Sequence, residues 1–265
     1  MSNIEVNGLD IYYERTETKE GGPLLYIGGT AGDLRRKPNI LDSPLVEDFE
    51  VIAYDQRGLG QTSQPSGDYT MQDYADDAAA LLEALGIDQI PVLGVSFGGM
   101  VAQELVLRHP NKVSKLVLAC TSTGGDGGSS YPLHVLDEME GEEKIEKILK
   151  LYDLRFTPSW TEENKKDWEQ RKKMASEGGM GKTYAQNIMK QLMARKGHNT
   201  FSRLKEIKKP VFIMGGEFDG LSPMENMKIM HSNISKSELS FYKGGHLFLA
   251  EDRSAFKDIS EWLLN

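Results

Sequence analysis

Short, unbroken apolar runs, each stopped by glycine or a polar turn, punctuate the chain. Leu24-Leu25-Tyr26-Ile27 ends at Gly28-Gly29, Val51-Ile52-Ala53-Tyr54 at Asp55-Gln56-Arg57-Gly58, and Val211-Phe212-Ile213-Met214 at Gly215-Gly216. Residues Ile90–Val95 and Val113–Ala119 read the same way. A strand without polar alternation has no solvent face, so these runs predict a parallel sheet covered on both sides. The opening segment differs. Residues 4–6 and 9–14 are extended-type stretches joined by Asn7-Gly8, a strong hairpin signal.

Between the runs the period changes to that of a helix. Tyr74, Ala78, Leu81, Leu82 and Leu85 recur at three- and four-residue spacing over 71–85, with Thr70 as N-cap and Gly86 as the stop. Residues 97–109, closed by Pro110, form a second helical pattern, and residues 253–264 a third. Strand and helix alternate, which predicts the α/β class with a mostly parallel sheet.

One stretch breaks the alternation. It opens with Gly124-Gly125-Asp126-Gly127-Gly128-Ser129-Ser130 and continues through charged helical segments at 142–150 and 162–173. Tyr152, Phe156, Trp160, Trp168, Met174, Met189 and Met193 are threaded through it. Such a pattern suits amphipathic helices that pack an apolar stripe on a core, and the same stripe can wall a ligand pocket. We therefore expect an α/β core of residues 1–124 and 204–265, with a helical cap at 125–203.

Charge and composition narrow the partners. A net charge of −9 and a pI near 5.2 disfavour nucleic acid and anionic membrane, both of which need a basic face. The one cysteine, Cys120, can form no internal disulfide. No run approaches the roughly 18 apolar residues of a membrane span, and the first residues lack a signal-peptide pattern, so a cytoplasmic location is expected. Phosphate-loop and dinucleotide-loop spacings are absent, and the five histidines are scattered, so neither cofactor nor metal is expected.

The sharpest chemical signal is Gly94-Val95-Ser96-Phe97-Gly98-Gly99, placed between the strand Ile90–Val95 and the helix that follows. A serine in so tight a strand-to-helix turn is strained, and glycines two residues either side relieve the crowding. Its hydroxyl needs a base within reach. His246, in Lys243-Gly244-Gly245-His246-Leu247 before the last helix, is the choice. His109 is read as capping helix carbonyls, His134 and His198 fall in the cap, and His231 reads as surface. The orienting acid is Asp219, in the loop after 211–214, with Glu217 and Asp126 as competitors. Ser96, Asp219 and His246 then follow the order expected of a hydrolase of this type. For an oxyanion, the backbone N–H of Phe97 is one donor and that of Thr30 the other, with Gly29 in reserve. Neighbouring carboxylates such as Asp76-Asp77 read as solvent-facing.

These residues carry a resemblance. The run from Leu93-Gly94-Val95-Ser96-Phe97-Gly98-Gly99-Met100 through Arg108-His109-Pro110 to Val117-Leu118 resembles the capped α/β-hydrolases. Within that superfamily it resembles the branch of 3-oxoadipate enol-lactonases, small-ester carboxylesterases and cofactor-free haloperoxidase-like enzymes. Asp55-Gln56-Arg57-Gly58-Leu59-Gly60-Gln61-Thr62-Ser63 is similar to that family's Asp-x-Arg-Gly-x-Gly-x-Ser segment, with one residue inserted before the serine. The resemblance implies an eight-stranded α/β-hydrolase fold with helices on both faces, a helical cap after the sixth strand, and a pocket between cap and core. Ile27-Gly28-Gly29-Thr30 departs from the His-Gly common at the oxyanion loop.

The function expected is a serine hydrolase that cleaves a small carboxylic ester or lactone through an acyl-enzyme on Ser96. The same triad also serves carbon–carbon bond hydrolysis or perhydrolysis. A ligand-binding receptor on a hydrolase fold is the reading of another class, although its usual mark, a broken triad, is absent.

Overall fold

The computed structural model describes residues 2–177 and 182–265. Its sheet has eight strands in the order β1-β2-β4-β3-β5-β6-β7-β8. In chain order these are β1 (Ser2–Val6), β2 (Leu9–Arg15), β3 (Pro23–Ile27), β4 (Glu50–Tyr54), β5 (Ile90–Val95), β6 (Val113–Ala119), β7 (Val211–Gly216) and β8 (Ser237–Tyr242). Only β1 and β2 run antiparallel to their neighbours. Asn7 and Gly8 have φ of 51° and 71°, as a two-residue turn matching strand twist requires.

The unbroken apolar runs are explained by burial on two sides. Leu25 and Ile27 join the core packed under α1 (Met71–Ala84) and α2 (Phe97–Arg108), while Leu24 and Tyr26 face the opposite core. α1 starts in a capping box: Thr70 accepts from the Asp73 N–H, and the Asp73 carboxylate accepts from the Thr70 N–H. It ends at Gly86, with φ of 69°.

Two readings of the charged surface change. Asp77 is not solvent-facing: it is 1% exposed and accepts two 2.7 Å bonds from the Arg57 guanidinium. The Asp-Gln-Arg-Gly segment thus ties into α1. Asp76 accepts from Arg108 and lies 2.6 Å from the His109 ring, so that ring meets a carboxylate rather than helix carbonyls.

Between β6 and β7 the described residues contain no strand, only an isolated bridge of Gly124 with Asn199. Helices α3 (Gly141–Tyr152), α4 (Pro158–Glu163), α5 (Lys165–Glu177) and α6 (Lys182–Lys196) fill the segment. The single helix expected at 162–173 is split at Asn164, whose side chain donates to the Trp160 carbonyl. Phe156, Trp160 and Trp168 pack there, with ring centroids 4.8 and 5.6 Å apart. The chain returns through α7 (Met224–Asn233), α8 (Phe248–Glu251) and α9 (Ser254–Leu264).

Strand order decides where chemistry can sit. β3 lies between β4 and β5, so the chain leaves β3 to one side and re-enters on the other. The carboxyl ends of β3 and β5 flank that reversal, the place where open α/β sheets leave a crevice.

Candidate active site

Ser96 occupies the turn from β5 into α2 with φ of 56° and ψ of −117°, a strained backbone for a residue other than glycine. Its N–H donates to the Ala119 carbonyl of β6 at 2.8 Å, and its carbonyl accepts from the Thr121 hydroxyl at 2.8 Å. The turn has no room for larger neighbours. A β-carbon on Gly98 would stand 2.0 Å from the Ile27 carbonyl oxygen, and one on Gly94 would stand 2.6 Å from the Gly98 carbonyl oxygen.

His246 reaches this turn from the loop after β8. Its Nε2 lies 2.9 Å from the Ser96 Oγ, and its Nδ1 lies 2.7 Å from the Asp219 Oδ2. With Nδ1–H donating to the carboxylate, Nε2 carries the lone pair that the serine hydroxyl donates to. Asp219 is 2% exposed, and its other oxygen accepts from the N–H groups of Leu221 and Ser222 at 2.8 Å each. A buried carboxylate with both oxygens occupied stays put. Glu217 and Asp126, the competing acids, are both exposed.

The backbone around Ser96 comes from the ends of β3 and β5. A β-carbon on Gly29 would lie 3.5 Å from that of Ser96, so the loop after β3 passes beside this serine. The Gly32 N–H closes a turn onto the Gly29 carbonyl, with Thr30 and Ala31 at its corners and Ala31 at φ of 61°. Phe97 is the first residue of α2, so its N–H has no acceptor within the helix. Thr30 and Phe97 therefore stand on the two backbone segments that meet at Ser96.

Several supporting residues escaped the sequence reading. The Gln56 amide donates to the Gly28 carbonyl at 2.8 Å, and the Gln191 side-chain oxygen accepts from the Ala31 N–H at 2.9 Å; together they hold the loop. The end of α3 fastens the other two loops. The Tyr152 carbonyl accepts from the His246 N–H at 2.6 Å, the Leu151 carbonyl from Gly220, and the Leu154 N–H donates to Phe218. The Tyr152 ring lies 5.4 Å from that of His246. None of these has a local motif.

Cys120, Asp219 and His246 place ligand-type atoms within 4.8 Å of one another. Burial pushes the Cys120 thiol well above its usual range, and both imidazole nitrogens already lie within hydrogen-bond distance of Asp219 and Ser96. The donor set suits a histidine–carboxylate pair better than an ion.

His198 is a buried histidine of another kind. Its Nε2–H donates to the Ser122 carbonyl at 3.2 Å, its Nδ1 has no partner among the described residues, and burial pulls its pKa down to about 4. The unfolded chain takes up this proton near pH 6.5, so its contribution to stability is complete above that pH. Acidification from there toward pH 4 removes about 3 kcal/mol. Thermal melts from pH 7.5 to 4 should show this loss, and His198→Asn, which does not titrate, should flatten the slope. Parallel slopes for both proteins would contradict the assignment.

A cavity of about 650 Å³ adjoins the histidine, lined by Ile40, Val46, Val95, His246, Leu249 and Phe256 among others. Its apolar walls come from the 3₁₀ turns after β3 and from α8 and α9.

Comparison with known proteins matches residues 22–252 to the family described as alpha/beta hydrolase fold. The chain belongs to that family. This α/β hydrolase is 29% identical over 251 residues to a poly(3-hydroxyalkanoate) depolymerase of Ectopseudomonas oleovorans, covering 91% of this chain and 85% of the relative. It is 25% identical over 214 residues to 3-oxoadipate enol-lactonase 2 of Acinetobacter baylyi, covering 80% and 78%. Among solved structures, the enol-lactonase of Burkholderia xenovorans LB400 superposes with a TM-score of 0.78 at 20% identity over 99% of both chains. The eight-stranded, mostly parallel sheet expected of the family is the one observed. No described helix is long and apolar enough to cross a membrane.

Proposed function

We propose that this hydrolase cleaves a small carboxylic ester or lactone through an acyl-enzyme on Ser96. One observation carries the reading: the unbroken relay from the Ser96 hydroxyl through His246 to buried Asp219. His246 takes the hydroxyl proton as the Ser96 oxygen attacks the substrate carbonyl, and Asp219 balances the imidazolium. The N–H groups of Phe97 and Thr30 receive the oxyanion. Collapse expels the alcohol, which takes the proton from His246; a lactone ring opens and its alcohol stays attached to the acyl chain. Water, deprotonated by His246, then releases the acid and regenerates Ser96.

The relatives' names, a polyester depolymerase and an enol-lactonase, support acyl–oxygen cleavage. Residues 125–203 act as a cap over the site, and the larger cavity accepts the apolar part of the substrate. A fluorophosphonate probe tests the reading. It should label Ser96 in folded protein and abolish turnover of aryl esters in step with labelling. Folded protein that stays unlabelled would refute the proposal.

A further inference from the structure

Helix α6 carries a stripe of hydrogen-bond donors that meets the loop after β3 at Ala31. Asn187, Gln191 and Arg195 recur every fourth residue and so share one face. Gln191 is fully buried. Its side-chain oxygen is committed to the Ala31 N–H, which fixes the amide's orientation, and its Nε2 has no partner among the described residues. Asn187 is 5% exposed, and its Nδ2 is likewise unpartnered. Buried donors are nearly always satisfied, so two in line beside the oxyanion loop point to acceptors supplied from outside the chain.

Arg195 completes the stripe. Arg57, Arg155 and Arg203 each rest on a carboxylate, of Asp77, Asp153 and Glu104. Arg195 is part-buried, and among the described residues its guanidinium makes one hydrogen bond, to the Tyr131 carbonyl at 2.9 Å. Burial without an acid beside it pulls its pKa down to about 10, so the guanidinium remains a cation at neutral pH. It lines a cavity of about 240 Å³ that shares no lining residue with the apolar one. Ser129, Ser130, Lys196 and His198 also border this cavity, and no carboxylate does. Burial keeps His198 neutral at neutral pH, Arg195 and Lys196 bring cationic side chains to this cavity, and His134 lines it as well. Met100, whose N–H donates to the Ser96 carbonyl, forms part of its wall. Arg195 also interacts electrostatically with Tyr152, whose ring packs against His246.

We propose that Arg195 is the anchor for a carboxylate on the substrate, with the Gln191 and Asn187 amides, further along the same helix face, serving oxygens elsewhere on that substrate. The preferred ester or lactone is therefore an acidic one, such as a half-ester of a short dicarboxylic acid. This inference rests on the hydrolase reading above for its assay, and a binding measurement separates the two.

The test compares mono-4-nitrophenyl succinate, glutarate and adipate with 4-nitrophenyl butanoate, pentanoate and hexanoate, after subtraction of spontaneous hydrolysis. In each pair a carboxylate replaces a methyl group. At one chain length or more, kcat/KM should favour the acidic ester by about 10- to 100-fold, the range for a charge-assisted contact. Arg195→Met should erase that preference, with a melting curve beside it to report an intact fold; Arg195→Lys should retain part of it. In parallel, the free dicarboxylates are titrated calorimetrically into Ser96→Ala protein with and without Arg195→Met. Binding that depends on Arg195, in an enzyme that turns over neither ester, would sustain the anchor and sink the hydrolase reading. Equal rates on acidic and neutral esters, unchanged in Arg195→Met and without Arg195-dependent binding, would overturn the anchor and leave the hydrolase standing.

Discussion

Ser96→Ala lowers turnover of a short-chain aryl ester by about four to six powers of ten, the scale seen when one member of such a unit is removed. The reason is local. The only oxygen on the Ser96 side chain is the one 2.9 Å from the His246 Nε2, and among the described residues no other hydroxyl has the same histidine contact. The Thr121 hydroxyl, beside the turn, is committed as donor to the Ser96 carbonyl. Alanine keeps the same β-carbon, so the strained backbone at φ of 56° is neither relieved nor worsened. The variant should melt within about 2 °C of the parent. Steady-state rates on the purified variant, with melting curves beside them, make the measurement. A residual rate within tenfold of wild type, in folded protein, would remove Ser96 from the chemistry.

The second large effect is structural in origin. Gly98→Ala places a methyl group 2.0 Å from the Ile27 carbonyl oxygen and 2.5 Å from that of Gly28. Both obstacles are backbone, so neither can swing aside as a flexible side chain would. Either α2 or the loop after β3 must move by an ångström or more. Displacements of that size at a reacting centre cost about 100-fold in rate, and overpacking of this kind costs about 1–3 kcal/mol in stability. The expected result is a fall in kcat/KM of about 100-fold together with a lowered Tm. Wild-type values for both would mean that the helix and the oxyanion loop do not press together as described.

These two variants separate what a residue does from where it holds others. Ser96 contributes an atom to the reaction proposed, whereas Gly98 contributes the absence of one. Gln56 and Gln191 belong with Gly98: they hold the loop at its Gly28 carbonyl and Ala31 N–H, on either side of Thr30. The end of α3 plays the same part for the acid and histidine loops, through the carbonyls of Leu151 and Tyr152.

Much of this was legible along the chain because it is local. An apolar run without alternation declares two covered faces, and β3 to β7 are such runs. Asn7-Gly8, Thr70 and Gly86 act within a few residues of themselves, so their turns and caps follow from residue type. The glycines around Ser96 mark the strand-to-helix turn for the same reason. Chain order then singled out Asp219 and His246, which the fold brings to 2.7 and 2.9 Å contacts around the imidazole.

What depended on tertiary structure is whatever spans the chain. Residue type alone leaves Asp77 facing solvent, because a helix neighbour shows its face only once Arg57, twenty positions earlier, is folded against it. Position alone makes His109 a helix cap, and only the fold sets Asp76 beside its ring. Gln191 meets Ala31 across 160 positions, and Arg195 is unusual only because no acid is buried with it. Sequence by itself determined the elements, the elbow and the identity of the three side chains, since propensity and turn chemistry act over a few residues. Tertiary structure alone decided which buried polar groups are satisfied and which still await a partner, since that balance is struck between segments far apart in the chain.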